Sequence, residues 1–401
     1  MTRRALLSTA TFVFTLITFA PAAAQDWAAV VAQLGDRSSA RKLDALRQLN
    51  AAGYGSATDA VAALVGDGDD TVQVAAIDTL LTFFLAEPAT EQRAGAGTRS
   101  RAQVAFEAGP LVRSARTASP AVIDHLITAT ADSHARVRFD ALHALGAIAL
   151  PPLSPADTRR VAAGLAHRDP LVRTVTARVL GRLRAVDAGD ALVMALNDDN
   201  DLVQQFACES LGLLRNDRAV QALSDRVTFY GRGPLADAAL LALARIAHPS
   251  SRDRLRAALT SPDAGARRAG AEGLGRLRDR ASLDTIRKLA STDPSTDVRV
   301  AAIFALDRLG EPQLEVLAQT VTNSAAGAQA RDYLIETGPA ASAAVAAVLA
   351  KATDMPLRAE LVRLLGHVGG IADARIVEPY VKDPDAAVAR AAANALAKLR
   401  K

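Results

Sequence analysis

The chain has 401 residues, half of them apolar, 22% charged and only 4% aromatic, with a single cysteine. That length exceeds what one ordinary core requires. The scarcity of rings excludes an aromatic-rich interior, and a lone Cys208 excludes internal disulfides as a source of stability. With 47 basic against 43 acidic side chains and no basic run of five, the charge balance argues against nucleic-acid binding.

The first predicted element is a leader. Residues 1–24 carry a short positive start (Met-Thr-Arg-Arg), an apolar stretch and an Ala-x-Ala site ending at Ala24. This is the build of a secretory signal peptide, with cleavage expected after Ala24 and a periplasmic or secreted location. The apolar stretch is barely long enough to cross a bilayer and is diluted by Ser and Thr, so no stable membrane insertion is expected once it is removed. No cysteine stands near the site, which excludes a lipoprotein anchor. The Thr-Arg-Arg start also fits a twin-arginine signal, but the short positive region favours the general secretory route. Losing Arg3 and Arg4 lowers the net charge from +4 to +2.

From residue 25 onward one phrase recurs. Taking Val172 as offset 0 and Leu180 as +8, equivalent pairs fall at Arg41/Leu49, Val72/Leu80, Val137/Leu145, Val203/Leu211, Leu235/Leu243, Ala266/Leu274, Val298/Leu306, Ala326/Leu334, Leu357/Leu365 and Val388/Leu396. Most are about 31 residues apart, a period that signals a repeat array. Offsets 0, +4, +5, +8 and +11 are mostly apolar and fall on one side of a helix. Alanine recurs at +4, where another backbone must come close. Asp-Pro at 169–170, 293–294 and 383–384 starts this helix, and Gly146, Gly181, Gly212, Gly275 and Gly366 at +9 suit tight packing near its end. A second apolar run precedes each of these helices, so every unit is a helix pair. The spacing from Val72 to Val137 is 65 residues. It isolates 87–118 as an irregular insertion or a degenerate repeat, between N-terminal repeats over 25–86 and a longer array over 119–401. An irregular connection inside a compact array is often functional.

The Asp-x-x-Val-Arg-x-x-x-Ala-x-x-x-Leu-Gly-x-Leu phrase, clearest at 169–183, resembles the HEAT repeat, in particular the short bacterial subtype called phycobilisome-lyase-like. The likeness covers about 41–401. It implies an all-α fold, an α-solenoid of about eleven to twelve helix pairs in which each pair buries its face only against its neighbours. It also implies that the second helices line a concave surface, and that Arg at +1 and Asp at −3 link adjacent repeats. The family consists mainly of binding scaffolds, and a few of its members are enzymes.

Catalytic signatures are absent from the sequence. None of His125, His134, His143, His167, His248 and His367 lies in an HExxH, and none is followed by Glu, as it would be in the HEAT-like iron hydroxylases. There is no P-loop and no Gly-x-Ser-x-Gly. The fragment Gly-Asp-Gly-Asp-Asp at 66–70 lacks the ligands that complete a calcium loop. Cys208, at +5 on the apolar face, is expected to be buried and inert. No catalytic residue, cofactor or metal is therefore expected.

Offsets +2 and +6 point away from the core face, and residue identity stops repeating there. Phe139, His143, Arg178, Gln205, Leu241, Arg268, Val300 and Phe304 are the candidate partner-binding residues, since exposed aromatics beside arginine have the composition of an interface hot spot. The expectation is an exported, monomeric, non-enzymatic scaffold that binds a protein or peptide partner along its concave surface. The alternative is a HEAT-like enzyme of the metal- or bilin-dependent lyase or hydroxylase type. Mass spectrometry of the exported protein should find Gln25 at its N-terminus; finding Met1 would overturn the leader assignment.

Overall fold

The computed structural model describes residues 25–87, 92–94 and 97–401. The leader expected at 1–24 lies outside the described residues. Eleven helix pairs follow one another: α1 (Trp27–Ala32) with α2 (Ser39–Ala52), and α3 (Thr58–Ala63) with α4 (Asp70–Phe84). After α5 (Arg101–Glu107) come α6 (Pro120–Ala129) with α7 (Ala135–Ile148), α8 (Pro155–Ala162) with α9 (Pro170–Arg182), and α10 (Gly189–Ala195) with α11 (Asp201–Leu214). Then come α12 (Val220–Tyr230) with α13 (Pro234–Ile246), α14 (Arg252–Ala258) with α15 (Ala264–Arg276), and α16 (Leu283–Thr292) with α17 (Thr296–Arg308). The array ends with α18 (Leu314–Thr320) and α19 (Gly327–Thr337), α20 (Ser342–Leu349) and α21 (Met355–Val368), and α22 (Ala374–Val377) and α23 (Ala386–Leu399). The second helix of each pair stacks on the second helix of the next, from α2 through to α23, and these form the inner layer. The fold is an all-α solenoid.

Several inner helices start and stop by the same chemistry. The aspartates at −3 are N-caps: Asp169 accepts from the Leu171 amide, Asp263 from Ala266, Asp354 from Leu357 and Asp385 from Ala387 and Val388. At the other end, offset +12 is left-handed at Gly53, Arg184, Arg215, Ala247, Arg278 and Gly310, which closes the last turn. The +4 alanines (Ala45, Ala76, Ala141, Ala207, Ala239, Ala302, Ala330 and Ala392) are all fully buried. The +9 glycines face offset +7 of the next inner helix. A methyl group on Gly275 would stand 2.6 Å from the Ala305 Cα, and one on Gly366 the same distance from the Ala395 Cα.

The link between repeats differs from the expected one. The residue at +1 reaches the aspartate at −5 of the next repeat, not the one at −3. Arg173 pairs with Asp198 at 2.7 Å, Arg267 with Asp293 at 2.7 Å, Arg358 with Asp383 at 3.0 Å, and Lys42 with Asp67 at 2.5 Å. The arginines also donate to carbonyls of their own turn, as Arg173 does to His167 and Arg168. Gln73 takes this place in the second repeat and donates to Asp132 at 3.0 Å. Asp132 belongs to the pair α6–α7, and α3 and α4 pack directly on α6 and α7. No repeat is missing between them, so the stretch from Leu85 to Ser119 is inserted between two pairs already in register.

The insertion folds inward. It contains the antiparallel strands β1 (Gln92–Ala94) and β2 (Gly97–Arg99), then α5, then a single turn at Pro110–Val112. Its two ends are stitched together where the Ala86 amide donates to the Val112 carbonyl and the Ser114 amide to the Phe84 carbonyl, both at 2.8 Å. Helix α5 packs against α7, and Phe106 sits over Gly146 with 1% of its surface exposed.

The far end of the chain meets this insertion. Arg363 on α21 pairs with Glu87 at 2.5 Å. On α23, Asn394 donates to the Arg113 carbonyl at 3.0 Å and Lys398 to the Leu111 carbonyl at 3.4 Å. Lys401 donates to the Ala115 carbonyl. The solenoid thus closes on itself.

Substituting Gly275 by Ala improves helix propensity by up to about 1 kcal/mol, yet overpacking against the Ala305 backbone costs about 1–3 kcal/mol. Calorimetry should find Gly275→Ala less stable than the parent. Ala247→Gly, at a left-handed cap where a Cβ is unfavourable, should be more stable.

Candidate functional site

Offsets +2, +6 and +10 of the inner helices lie within about 80° of one another on the helical wheel, and they face the interior of the closed array. Tight curvature brings opposite walls within reach. Arg276 on α15 forks onto Glu336 on α19 at 2.8 and 2.7 Å, and Arg215 at the end of α11 reaches the same carboxylate at 3.1 Å. Glu272, 1% exposed, accepts from Arg268 at 2.9 Å, from Arg276 at 2.9 Å and from the Tyr333 hydroxyl at 2.6 Å. Tyr333 stacks on Phe304 with ring centroids 4.3 Å apart, and the Arg276 guanidinium lies 5.1 Å from the Phe304 ring.

This interior corrects the placement expected for several candidate residues. Phe304, Val300 and His143 are buried at 0%, 3% and 5% exposure and offer a partner no surface. The next inner helix covers Phe304, and the insertion covers His143. Phe304 lies under Tyr333. His143 is edge-on to Phe106 at 5.4 Å, with its Nδ1 2.8 Å from the Phe139 carbonyl. Phe139, Gln205 and Leu241 are half-buried. Arg178 stacks between Phe106 at 5.0 Å and Phe206 at 4.8 Å, and Arg268 is held by Glu272. The eight residues therefore do not form one patch. His143 and Arg178 gather beneath the insertion, Arg268 and Phe304 join the Glu272 network, and the others belong to neither.

A row that the sequence pattern contained but the +2/+6 reading missed is offset +10, which is apolar or neutral at Ala51, Thr82, Ala147 and Leu213 and otherwise reads Arg182, Arg245, Arg276, Arg308, Glu336, His367 and Lys398. Arg182 lies 3.9 Å from the centre of the Phe106 ring and donates to the Phe106 carbonyl. His367 and Asp332 reach solvent although protein crowds them closely, as it does side chains that line a lumen. Burial lowers His367 to about 4, helped by Lys398 and Arg113. Burial likewise lowers Lys398 to about 8 and Arg182 to about 10, with neighbouring cations adding to the shift.

The family described as HEAT repeats matches residues 158–228, 234–307 and 262–337. The chain is a HEAT-repeat protein. No curated protein matches it. Among solved structures, an engineered protein is similar at 17% identity over 94% of this chain and 100% of that one, with a TM-score of 0.38. The complex of CpcE and CpcF of phycocyanin lyase from Nostoc is similar at 20% identity over 62% of this chain and 96% of that one, with a TM-score of 0.37. Human deoxyhypusine hydroxylase in complex with glycerol is similar at 21% identity over 69% of this chain and 96% of that one, with a TM-score of 0.30. None of these likenesses carries an argument about activity.

Within the HEAT array, the Glu272 network makes stability depend on pH. Burial alone would raise the Glu272 carboxyl, yet Arg276 and Arg268 hold it down at about 2. A carboxylate with a depressed folded pKa stabilises above its unfolded value, near 4.5, and that contribution is lost as pH falls towards about 2. Denaturant melts of Glu272→Gln should therefore show a flatter decline between about pH 4.5 and 2 than the parent. Equal slopes would place the acid sensitivity elsewhere.

Proposed function

We propose that this HEAT-repeat protein is an exported binding scaffold that holds an acidic segment of a protein or peptide partner at the basic part of its lumen. The observation carrying this reading is the set of cations on the inner wall that solvent reaches and no carboxylate pairs. Arg113, Arg178, Arg182 and Lys398 form no ion pair among the described residues, whereas Arg268, Arg276 and Arg363 are fully engaged. The partner site lies at offsets +6 and +10 where α7, α9 and α23 meet the insertion, and not along the whole +2/+6 stripe, because the curvature fills the rest with the protein's own side chains.

The leader at residues 1–24 supports action outside the cytoplasm. No helix among the described residues is long and apolar enough to cross a membrane. For an enzyme, the chain would have to supply a reactive group or a ligand set. Cys208 is buried, its thiol pushed up to about 12 by desolvation. Among the described residues no three His, Cys, Asp or Glu stand together as metal ligands. No observation favours the lyase or hydroxylase alternative.

A direct test is capture of envelope proteins on the immobilised protein, comparing Lys398→Glu with Phe229→Ala on the outer helix α12, where Phe229 is 79% exposed. A partner bound in the lumen should be lost with Lys398→Glu, at a cost of about 2 kcal/mol or more, and retained with Phe229→Ala. The reverse pattern would move the binding surface to the outer layer.

A further inference from the structure

Phe106 is the point at which the insertion meets two arginines of one helix. The Arg178 guanidinium lies 5.0 Å from the centre of its ring and the Arg182 guanidinium 3.9 Å, the two being one turn apart on α9. Arg178 also lies over the Phe206 ring of α11, at 4.8 Å. Rings stacked on a guanidinium occupy its flat faces and leave its edge, which carries five N–H donors. Arg178 gives none of them to a hydrogen bond or ion pair among the described residues, and it is half-buried, so part of it meets solvent. Neighbouring acids are engaged elsewhere. Glu107 pairs with Arg99 at 3.2 Å and accepts from Gln103 at 3.0 Å, and Asp140 pairs with Arg136. Glu209, at the same +6 offset on the next inner helix, pairs with Arg245 at 3.8 Å. His143, at that offset on α7, stands edge-on to the same Phe106 ring at 5.4 Å and is uncharged at neutral pH, since burial lowers it to about 4. No carboxylate among the described residues therefore pairs with Arg178. A guanidinium held by two rings has already lost much of its conformational freedom, so little more is lost when an anion binds its edge.

We propose that Arg178, clamped between Phe106 of the insertion and Phe206 of α11, is the fork that takes one carboxylate of an acidic partner, with Arg182 adding charge beside it on the same ring. A carboxylate is the matching group because it is planar and offers two oxygens to two parallel N–H donors. An ammonium in this place could neither fork nor stack, so the site calls for arginine and not merely for positive charge. The insertion thereby takes part in recognition, since Phe106 holds Arg178 and Arg182 together. The carboxylate is either an Asp or Glu side chain or a chain end. The inference rests on the reading of the lumen as the partner site, and it names the residue and the group on which recognition turns.

The test uses the full mature protein and calorimetric titration at low ionic strength with two probes. One is hexaglutamate blocked at both ends, which offers only side-chain carboxylates; the other is an N-acetylated alanine peptide with a free chain end. At least one should bind saturably. Tighter binding of hexaglutamate assigns the fork to an acidic side chain, and tighter binding of the alanine peptide assigns it to a chain end. Arg178→Lys keeps the charge and removes the fork, and it should weaken binding about tenfold or more, as loss of a charge-assisted contact does. Phe206→Leu keeps an apolar side chain and removes one ring of the clamp, so it should weaken the same probe while the circular dichroism spectrum stays that of the parent. Should Arg178→Lys fail to fold, Phe206→Leu decides the matter. No saturable binding of either probe, or equal binding by parent and Arg178→Lys, would overturn the fork. Capture of an envelope partner that is lost with Lys398→Glu is a separate measurement, so the lumen reading can stand when the fork fails.

Discussion

The close approach of neighbouring inner helices is the constraint on which the rest of the structure depends. Alanine at +4 and glycine at +9 let the backbones of adjacent inner helices come close. With eleven pairs the curvature brings α21 and α23 back to the insertion between α4 and α6, and it brings Arg276 and Arg215 onto one carboxylate on α19. Nearest-neighbour stacking of repeats is thus supplemented by contacts between residues up to 287 positions apart.

Closure alters what a concave surface can do. In an open solenoid the inner stripe is a groove. Here part of it is a second core, in which Glu272, Tyr333, Phe304 and Arg276 satisfy one another, and part is covered by Phe106 and α5. The proposed partner site is the basic margin where the insertion meets the last helix. The insertion therefore has two roles: it completes the wall of the lumen, and it contributes Arg113 and the carbonyls that orient Arg182 and Lys398.

The helix pairs, their phase and their number were legible in the sequence because each rests on local rules: Asp at −3 capping a helix, Ala and Leu on one face, a period near 31 residues. The side of the inner helix that turns from the core was also legible. Its burial was not. Phe304 looks like a surface residue until Tyr333 of α19 stacks on it, and no single repeat encodes how far the array turns. The partner of the +1 arginine was misread by two positions for a similar reason, since the sequence shows two aspartates per turn and only geometry tells the cap from the bridge. The +10 row was visible as Arg182, Arg245, Arg276, Arg308 and Lys398, and counting one turn further along the helix would have found it. The direct stacking of α4 on α7 lay beyond sequence reasoning, because the 65-residue interval equals almost two periods and so imitates a lost repeat.

The central claim is that the solenoid is closed by the insertion, and a distance across the seam tests it most directly. Spin labels on Arg116→Cys and Ala397→Cys, two exposed positions flanking the Leu111–Lys398 and Ala115–Lys401 contacts, can be placed selectively because the native Cys208 is buried. Double electron–electron resonance should give one short, narrow distance distribution that broadens when Asn394 and Lys398 are both replaced by alanine. A long or broad distribution in the otherwise unaltered protein would mean an open superhelix, and with it an exposed concave groove in place of a closed lumen.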